Sequence, residues 1–176
     1  MPFHPLHFRQ ANLPLFSRLL EDLEKNIPHE THIVDLFGGM GAIGLSLCHK
    51  AKKVDCVEID PSAESSFHEA KKRLPHSLQS LVSFHCLSCN ASEIETLLQQ
   101  AETLIVDPPR KGLSHTLMNH ISKSPASTLA YISCCVDTLL HNLPVLIAQG
   151  WKPVFAKAYQ FFPRTNHIET LVVLRR

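Results

Sequence analysis

The chain has 176 residues, 44% of them hydrophobic and 19% charged, which suits one globular domain with a real core and excludes a disordered tail. Its net charge of +1, with 12 histidines counted neutral, excludes the strongly basic balance of an autonomous nucleic-acid binder. No apolar run reaches the roughly 18 residues of a membrane span, and residues 1–10 lack the basic-then-apolar order of a signal peptide, so the expected setting is soluble and cytoplasmic. In chain order, residues 13–26 read as a helix with Leu15, Leu19, Leu20 and Leu23 on one face, ended by Pro28. Residues 32–37 are a first strand, Gly38 to Gly41 a turn, and 42–50 a helix. A second strand at 54–59, a helix at 62–74 and a short strand at 81–86 follow. Residues 91–100 read as a helix capped by Ser92, with Glu95 completing a capping box. A fourth strand at 103–107 stops at Pro108 and Pro109. A helix at 114–122, a strand at 128–133 and a helix at 136–148 come next, the last ended by Gly150 and interrupted by Pro144, which predicts a kink or a late start. Strands at 152–158 and 167–174 close the chain as a hairpin. Strands alternating with helices predict a doubly wound α/β sheet, mostly parallel, with seven strands and an antiparallel C-terminal hairpin. The expected organisation is a helical lead-in over 1–30 and one domain over 31–176.

The chemistry-bearing residues cluster at strand ends. Asp35 to Gly41 follows a strand and opens a helix, and its glycines allow close backbone approach to a ligand. The second strand ends in Glu58, about 20 residues on, where an acid accepts hydrogen bonds from a ribose diol. Phe37 stands beside the turn. Asp107, Pro108, Pro109 and Arg110 end the fourth strand, at the edge where open α/β sheets bind ligands. Arg110 and Lys111 after that turn favour a substrate with phosphates. The other basic clusters, Lys52 with Lys53, Lys71 to Arg73 and Arg175 with Arg176, read as solvated surface.

Ser133, Cys134 and Cys135 follow the fifth strand directly and lie on the same edge as Asp107. Topology returns Glu169, near the start of the last strand, close to Cys134. A thiol with a carboxylate base suits carbon alkylation of uracil. A thiolate adding to carbon 6 makes carbon 5 nucleophilic, and a base must later remove the proton on carbon 5. The six cysteines read as reduced thiols, and Cys86 with Cys89 is half a zinc spacing without a second pair, so no metal is expected.

These residues resemble the RNA 5-methyluridine methyltransferases, from Phe8 to Leu174. Phe8, Gln10 and Asn12 look like the family's F-x-Q-x-N, whose glutamine contacts S-adenosyl-L-methionine (SAM). Asp35 to Gly41 is similar to D-L-F-C-G-x-G, with Gly38 in place of the cysteine. The resemblance makes Gln10, Phe37, Gly39, Gly41, Glu58, Asn90 and Asp107 the cofactor set, with Asn90 towards the adenine. Asp107 to Gly112 looks like D-P-P-R-x-G, whose aspartate lies between cofactor and target base. Ser133 and Cys134 match S-C-N, which implies Cys134 as nucleophile. Phe162, Pro163, Thr165, His167 and Glu169 look like F-P-x-T-x-H-x-E, which implies Glu169 as base. Arg110, Lys111 and His167 are the implied substrate contacts. Cys135 replaces the usual asparagine, and Ala42 stands where some members have a polar residue. The N-terminal RNA-binding barrel and central domain of typical members are expected to be absent. The implied function is SAM-dependent formation of 5-methyluridine in a loop of structured RNA, tRNA or rRNA. A non-catalytic SAM-binding or RNA-interaction module and a SAM methyltransferase of another substrate class remain the alternatives. The oligomeric state is open.

Overall fold

The computed structural model describes residues 12–162, 164–165 and 168–176. Helix α1 (Leu13–Asn26) starts where the Asn12 side chain accepts from the Leu15 amide. Strand β1 (Thr31–Leu36) is followed by α2 (Ala42–Leu47), a single 3-10 turn over Cys48–Lys50, and β2 (Ala51–Glu58). Then come α3 (Ala63–Lys71), a one-turn α4 (His76–Gln79) and β3 (Val82–Cys86). The second half runs α5 (Ile94–Leu98), β4 (Thr103–Val106), α6 (His115–Lys123), β5 (Thr128–Ser133), α7 (Val136–Ala148), β6 (Lys152–Tyr159) and β7 (Glu169–Arg175).

The seven strands form one sheet in the order β3-β2-β1-β4-β5-β7-β6. All pairs are parallel except β5 with β7 and β6 with β7, which are antiparallel. The seven-stranded α/β arrangement with a closing antiparallel hairpin is therefore present as the sequence indicated. β1 and β4 are buried along their whole length, the signature of central parallel strands covered on both faces. One face carries Val34, Leu36, Leu104 and Val106 against Ile94, Leu98, Leu117, Ile121, Leu139 and Leu146 of α5 to α7. The other carries Ile33, Val54 and Ile105 against Leu19, Leu23, Ile43, Leu47 and Phe67 of α1 to α3. The chain turns to opposite sides of β1, towards β2 and towards β4, so a crevice opens above the carboxyl ends of these strands.

Two local expectations are corrected. Helix α5 begins only at Ile94, with Glu93 at its cap position and no side-chain cap, so the capping box at Ser92 does not form. The Glu95 carboxylate instead meets the His120 imidazole at 2.8 Å and the Lys123 ammonium at 3.5 Å on α6. The α7 helix does not start late; it runs from Val136 to Ala148 with Pro144 inside it. Its end is a Schellman turn: Trp151 donates to the Leu146 carbonyl, Gly150 to that of Ile147, and Gly150 takes φ +94°. Among the described residues, no helix is long and apolar enough to cross a membrane.

Candidate active site

The turn after β1 is built around a buried carboxyl. Asp35 is fully buried, and its Oδ2 accepts from the Gly44 amide of α2 at 2.9 Å. Its Oδ1 has no hydrogen-bond partner among the described residues, and burial pushes its pKa up to about 7. Phe37 takes φ +61°, a strained value for a non-glycine residue, and Gly41 takes φ +81°. A Cβ at Gly41 would also stand 2.6 Å from the Phe67 ring, so conformation and packing both demand glycine there. Glu58 at the end of β2 ties this turn to its own strand. One carboxylate oxygen accepts from the Gly39 amide at 3.0 Å, the other from Ile59 at 2.8 Å and Asp60 at 3.0 Å. A carboxylate has about four acceptor positions, so capacity remains for a ligand hydroxyl.

A cleft of about 510 Å³ opens at this edge. Phe37, Glu58, Ser88, Cys89, Asn90 and Asp107 line it, with Pro109 and the segment Lys111 to Ser114 as the facing wall. Its volume lies in the range of about 300–1,000 Å³ typical of small-molecule sites. Asn90 is tied across the rim by the Ser114 hydroxyl. Ser114 also caps α6 by accepting from the Leu117 amide at 3.1 Å.

Beside this cleft lies a second group of reactive side chains. Cys134 follows the last residue of β5, and Ser133 pairs with Thr170 of β7, which brings Glu169 next to the thiol. Ser133 shapes the bend: its hydroxyl donates to the Cys135 carbonyl at 2.9 Å and accepts from the Cys135 amide at 3.3 Å. Burial raises the Cys134 pKa, and the charges of Glu169 and Asp107 raise it further, while Arg110 pulls the other way. Asp107 is pushed up to about 8, first by burial, then by the charges of Glu169 and Asp35. Glu169 is raised by burial and lowered in part by Arg110. The Cys134 thiol and the Asp107 and Glu169 carboxyls thus share one field, in which burial and mutual repulsion favour their protonated forms.

The fold therefore brings Phe37, Glu58, Asn90, Asp107 and Lys111 onto one cleft, with Gly39 and Gly41 in the turn beneath it. It brings Cys134, Glu169, Asp107 and Arg110 within electrostatic reach of one another. Gln10 and His167 lie outside the described residues. Sequence reasoning missed Cys89, Leu113 and Ser114 on the cleft wall, and Asn142 behind it. A signal existed for Asn142: it is the polar residue in the buried series Leu139, Asn142, Leu146 of α7.

Residues 6–176 match the family model described as tRNA (Uracil-5-)-methyltransferase. An uncharacterized RNA methyltransferase of Protochlamydia amoebophila is 38% identical over 174 residues, covering 99% of this chain and 45% of the relative. One from Clostridium acetobutylicum is 32% identical, covering 92% of this chain and 34% of the relative. The chain thus spans less than half the length of these curated relatives. Its fold is similar to the crystal structure of Pyrococcus abyssi tRNA (uracil-54, C5)-methyltransferase in complex with S-adenosyl-L-homocysteine. The TM-score is 0.83 at 22% identity, over 98% of this chain and 41% of that one.

Proposed function

The chain belongs to the tRNA (uracil-5-)-methyltransferase family, and we propose that it uses SAM to methylate carbon 5 of a uridine in structured RNA, tRNA or rRNA, through a covalent bond from Cys134. One observation carries this reading: the Cys134 thiol, the Asp107 and Glu169 carboxyls and the Arg110 guanidinium share one electrostatic neighbourhood beside a nucleoside-sized cleft.

The residues fit that cofactor. Glu58 offers acceptor capacity for ribose hydroxyls, the bare backbone of Gly39 and Gly41 permits close approach, and Phe37 and Asn90 line the same cleft. Gln10 is assigned to the cofactor by its motif alone. When bound, SAM supplies an electrophilic methyl group. The chain's own residues do the rest. The Cys134 thiol gives up its proton to solvent as its sulfur bonds to carbon 6 of the uracil, and the displaced electron pair makes carbon 5 nucleophilic. Asp107 holds its proton up to about pH 8 and is a proton donor at the cleft wall. Once carbon 5 carries the methyl group, Glu169 removes the remaining proton there. The freed electron pair expels the Cys134 sulfur, so the RNA gains a methyl group and loses a proton. Burial raises the Glu169 pKa, which makes its carboxylate a stronger base than an exposed one. Arg110 and Lys111, exposed at the rim, and His167 are assigned to the RNA strand.

The test uses tRNA transcripts carrying 5-fluorouridine, with SAM, and reads covalent protein–RNA adducts by denaturing gel and mass spectrometry. Fluorine cannot leave as a cation, so the enzyme is trapped after methyl transfer. An adduct on Cys134 that disappears in Cys134→Ala is expected. Methyl transfer retained by Cys134→Ala would sink the covalent reading and favour another substrate class.

A further inference from the structure

We propose that Asn142 is the positioning residue that sets the loop from Asp107 to Leu113 against the strand that ends at Cys134. This rests on the methyltransferase reading above and adds a residue to it. Asn142 is 8% exposed and lies on the inward face of α7 between Leu139 and Leu146. A buried carboxamide is costly unless it is hydrogen-bonded. Here both ends are engaged. The Oδ1 accepts from the Leu113 amide at 2.9 Å and from the Tyr131 hydroxyl at 2.8 Å, and the Nδ2 donates to the Leu113 carbonyl at 3.3 Å. Leu113 and Tyr131 are themselves buried, so water does not replace these contacts.

The approach is close enough to dictate a neighbour. A Cβ at Gly112 would stand 2.5 Å from the Asn142 Oδ1, and Gly112 takes φ +73°. One side chain thereby joins three elements. The loop carries Asp107 and Arg110, and its Pro109 and Lys111 to Leu113 form the cleft wall. β5 carries Tyr131 and, at its end, Cys134. α7 begins directly after Cys135. The substrate ring must meet the Cys134 sulfur and the cofactor at once, so the separation between loop and strand is the reaction distance. A misplacement of about 1 Å there costs on the order of 100-fold in rate. At neutral pH an amide on a short stem offers both a donor and an acceptor to the two backbone groups of Leu113, which an ionised carboxylate cannot.

The test compares Asn142→Leu, Asn142→Asp and, as a control on the exposed side of the same helix, His141→Ala. Hydrogen exchange over residues 108–114 is measured together with kcat and KM for SAM on tRNA. Asn142→Leu is expected to speed exchange of the loop by about tenfold or more and to lower kcat about 10- to 100-fold, with KM for SAM within about threefold. His141→Ala is expected to match the parent. In Asn142→Asp the protonated carboxyl donates to Leu113 as the amide does. Its kcat, taken as a ratio to the parent at each pH, recovers towards about pH 6 and falls as the carboxyl ionises. Tyr131, Asp107, Cys134 and Cys135 titrate in both proteins, so the ratio reports what the new carboxyl adds, its own ionisation and its effect on those groups. Unchanged loop exchange or unchanged kcat in Asn142→Leu overturns the proposal. If that variant does not fold, a flat ratio for Asn142→Asp overturns it instead. Loop exchange is read without any methyl transfer, so an inactive parent counts against the proposed reaction while the exchange data still decide the strut.

Discussion

Cys134 and Cys135 are adjacent in the chain and opposite in electrostatics. Burial and the carboxylates of Glu169 and Asp107 raise the Cys134 thiol. Hydrogen bonds from Thr138, backbone and side chain, lower that of Cys135 at the start of α7. Iodoacetamide below about pH 8.5 is therefore expected to alkylate Cys135 before Cys134, and mass spectrometry of a time course that gave the reverse order would refute this. The two aspartates with raised pKa values make a second prediction. Asp35 and Asp107 keep protons in the folded molecule that the unfolded chain releases above about pH 4. Their folded pKa values are raised, so the stability they contribute is complete below about pH 4 and is lost as pH rises through about 7 and 8. Asp107→Asn should flatten the fall of Tm between about pH 5 and 8 and leave the variant more stable than the parent at about pH 9, with methyl transfer lost. A Tm difference independent of pH would contradict it.

At the scale of elements, much of the stabilisation lies at helix ends. The α1 carboxyl end is closed by the buried Lys50, whose ammonium donates to the carbonyls of Glu24 and Ile27. The α6 end is closed by Arg176, which donates to the carbonyls of Ser122, Ser124 and Ala126 and lies 4.4 Å from the buried Trp151 ring. Removing this fork and its cation–π contact in Arg176→Ala should cost about 2 kcal/mol by urea unfolding. Arg176→Lys should recover only part, because an ammonium lacks the planar fork. Helix and sheet also meet without slack at Gly44, where a Cβ would stand 2.8 Å from the Cys56 sulfur and 3.0 Å from Asp35. Gly44→Ala should therefore destabilise by roughly 1–3 kcal/mol, and a neutral result would mean that α2 shifts freely. Element positions followed from periodicity, but their ends did not. Ser92 and Glu95 satisfy a local capping pattern, yet Glu95 is held by His120 on a helix 25 residues away in sequence. Local spacing carries no information about such a partner.

Over the whole molecule, one buried cluster ties acid stability to the sheet. Asp55 on β2 is fully buried and meets His32 of β1 at 2.6 Å, His85 of β3 at 2.8 Å and Lys53 at 2.9 Å. Burial alone would raise its pKa, but hydrogen bonds from His85, Lys53 and His32 outweigh that and hold it well below the usual carboxylate range. A depressed carboxyl contributes stability above about pH 4 that is lost as pH falls further. Asp55→Asn should lower Tm at about pH 6, and its deficit relative to the parent should shrink steadily as pH falls below about 4. With Asp35 and Asp107 weakening the fold on the alkaline side, maximal stability is expected between about pH 4 and 7.

The sequence by itself determined the alternation of strands and helices, the closing hairpin and the residue types at the strand ends. Hydrophobic period, glycine turns and proline stops are local properties of the chain, so they are legible one segment at a time. It also placed Phe37, Glu58, Asn90, Asp107 and Lys111 as candidates, and all five line one cleft. Tertiary structure alone decided what those residues feel. The raised pKa of Asp107 needs burial together with Glu169, 62 positions later. The strut from Asn142 to Leu113 joins residues 29 apart, and the Asp55 cluster draws on three adjacent strands. Burial, field and hydrogen-bond partners depend on which segments the sheet order makes neighbours, and that order is a property of the folded chain as a whole.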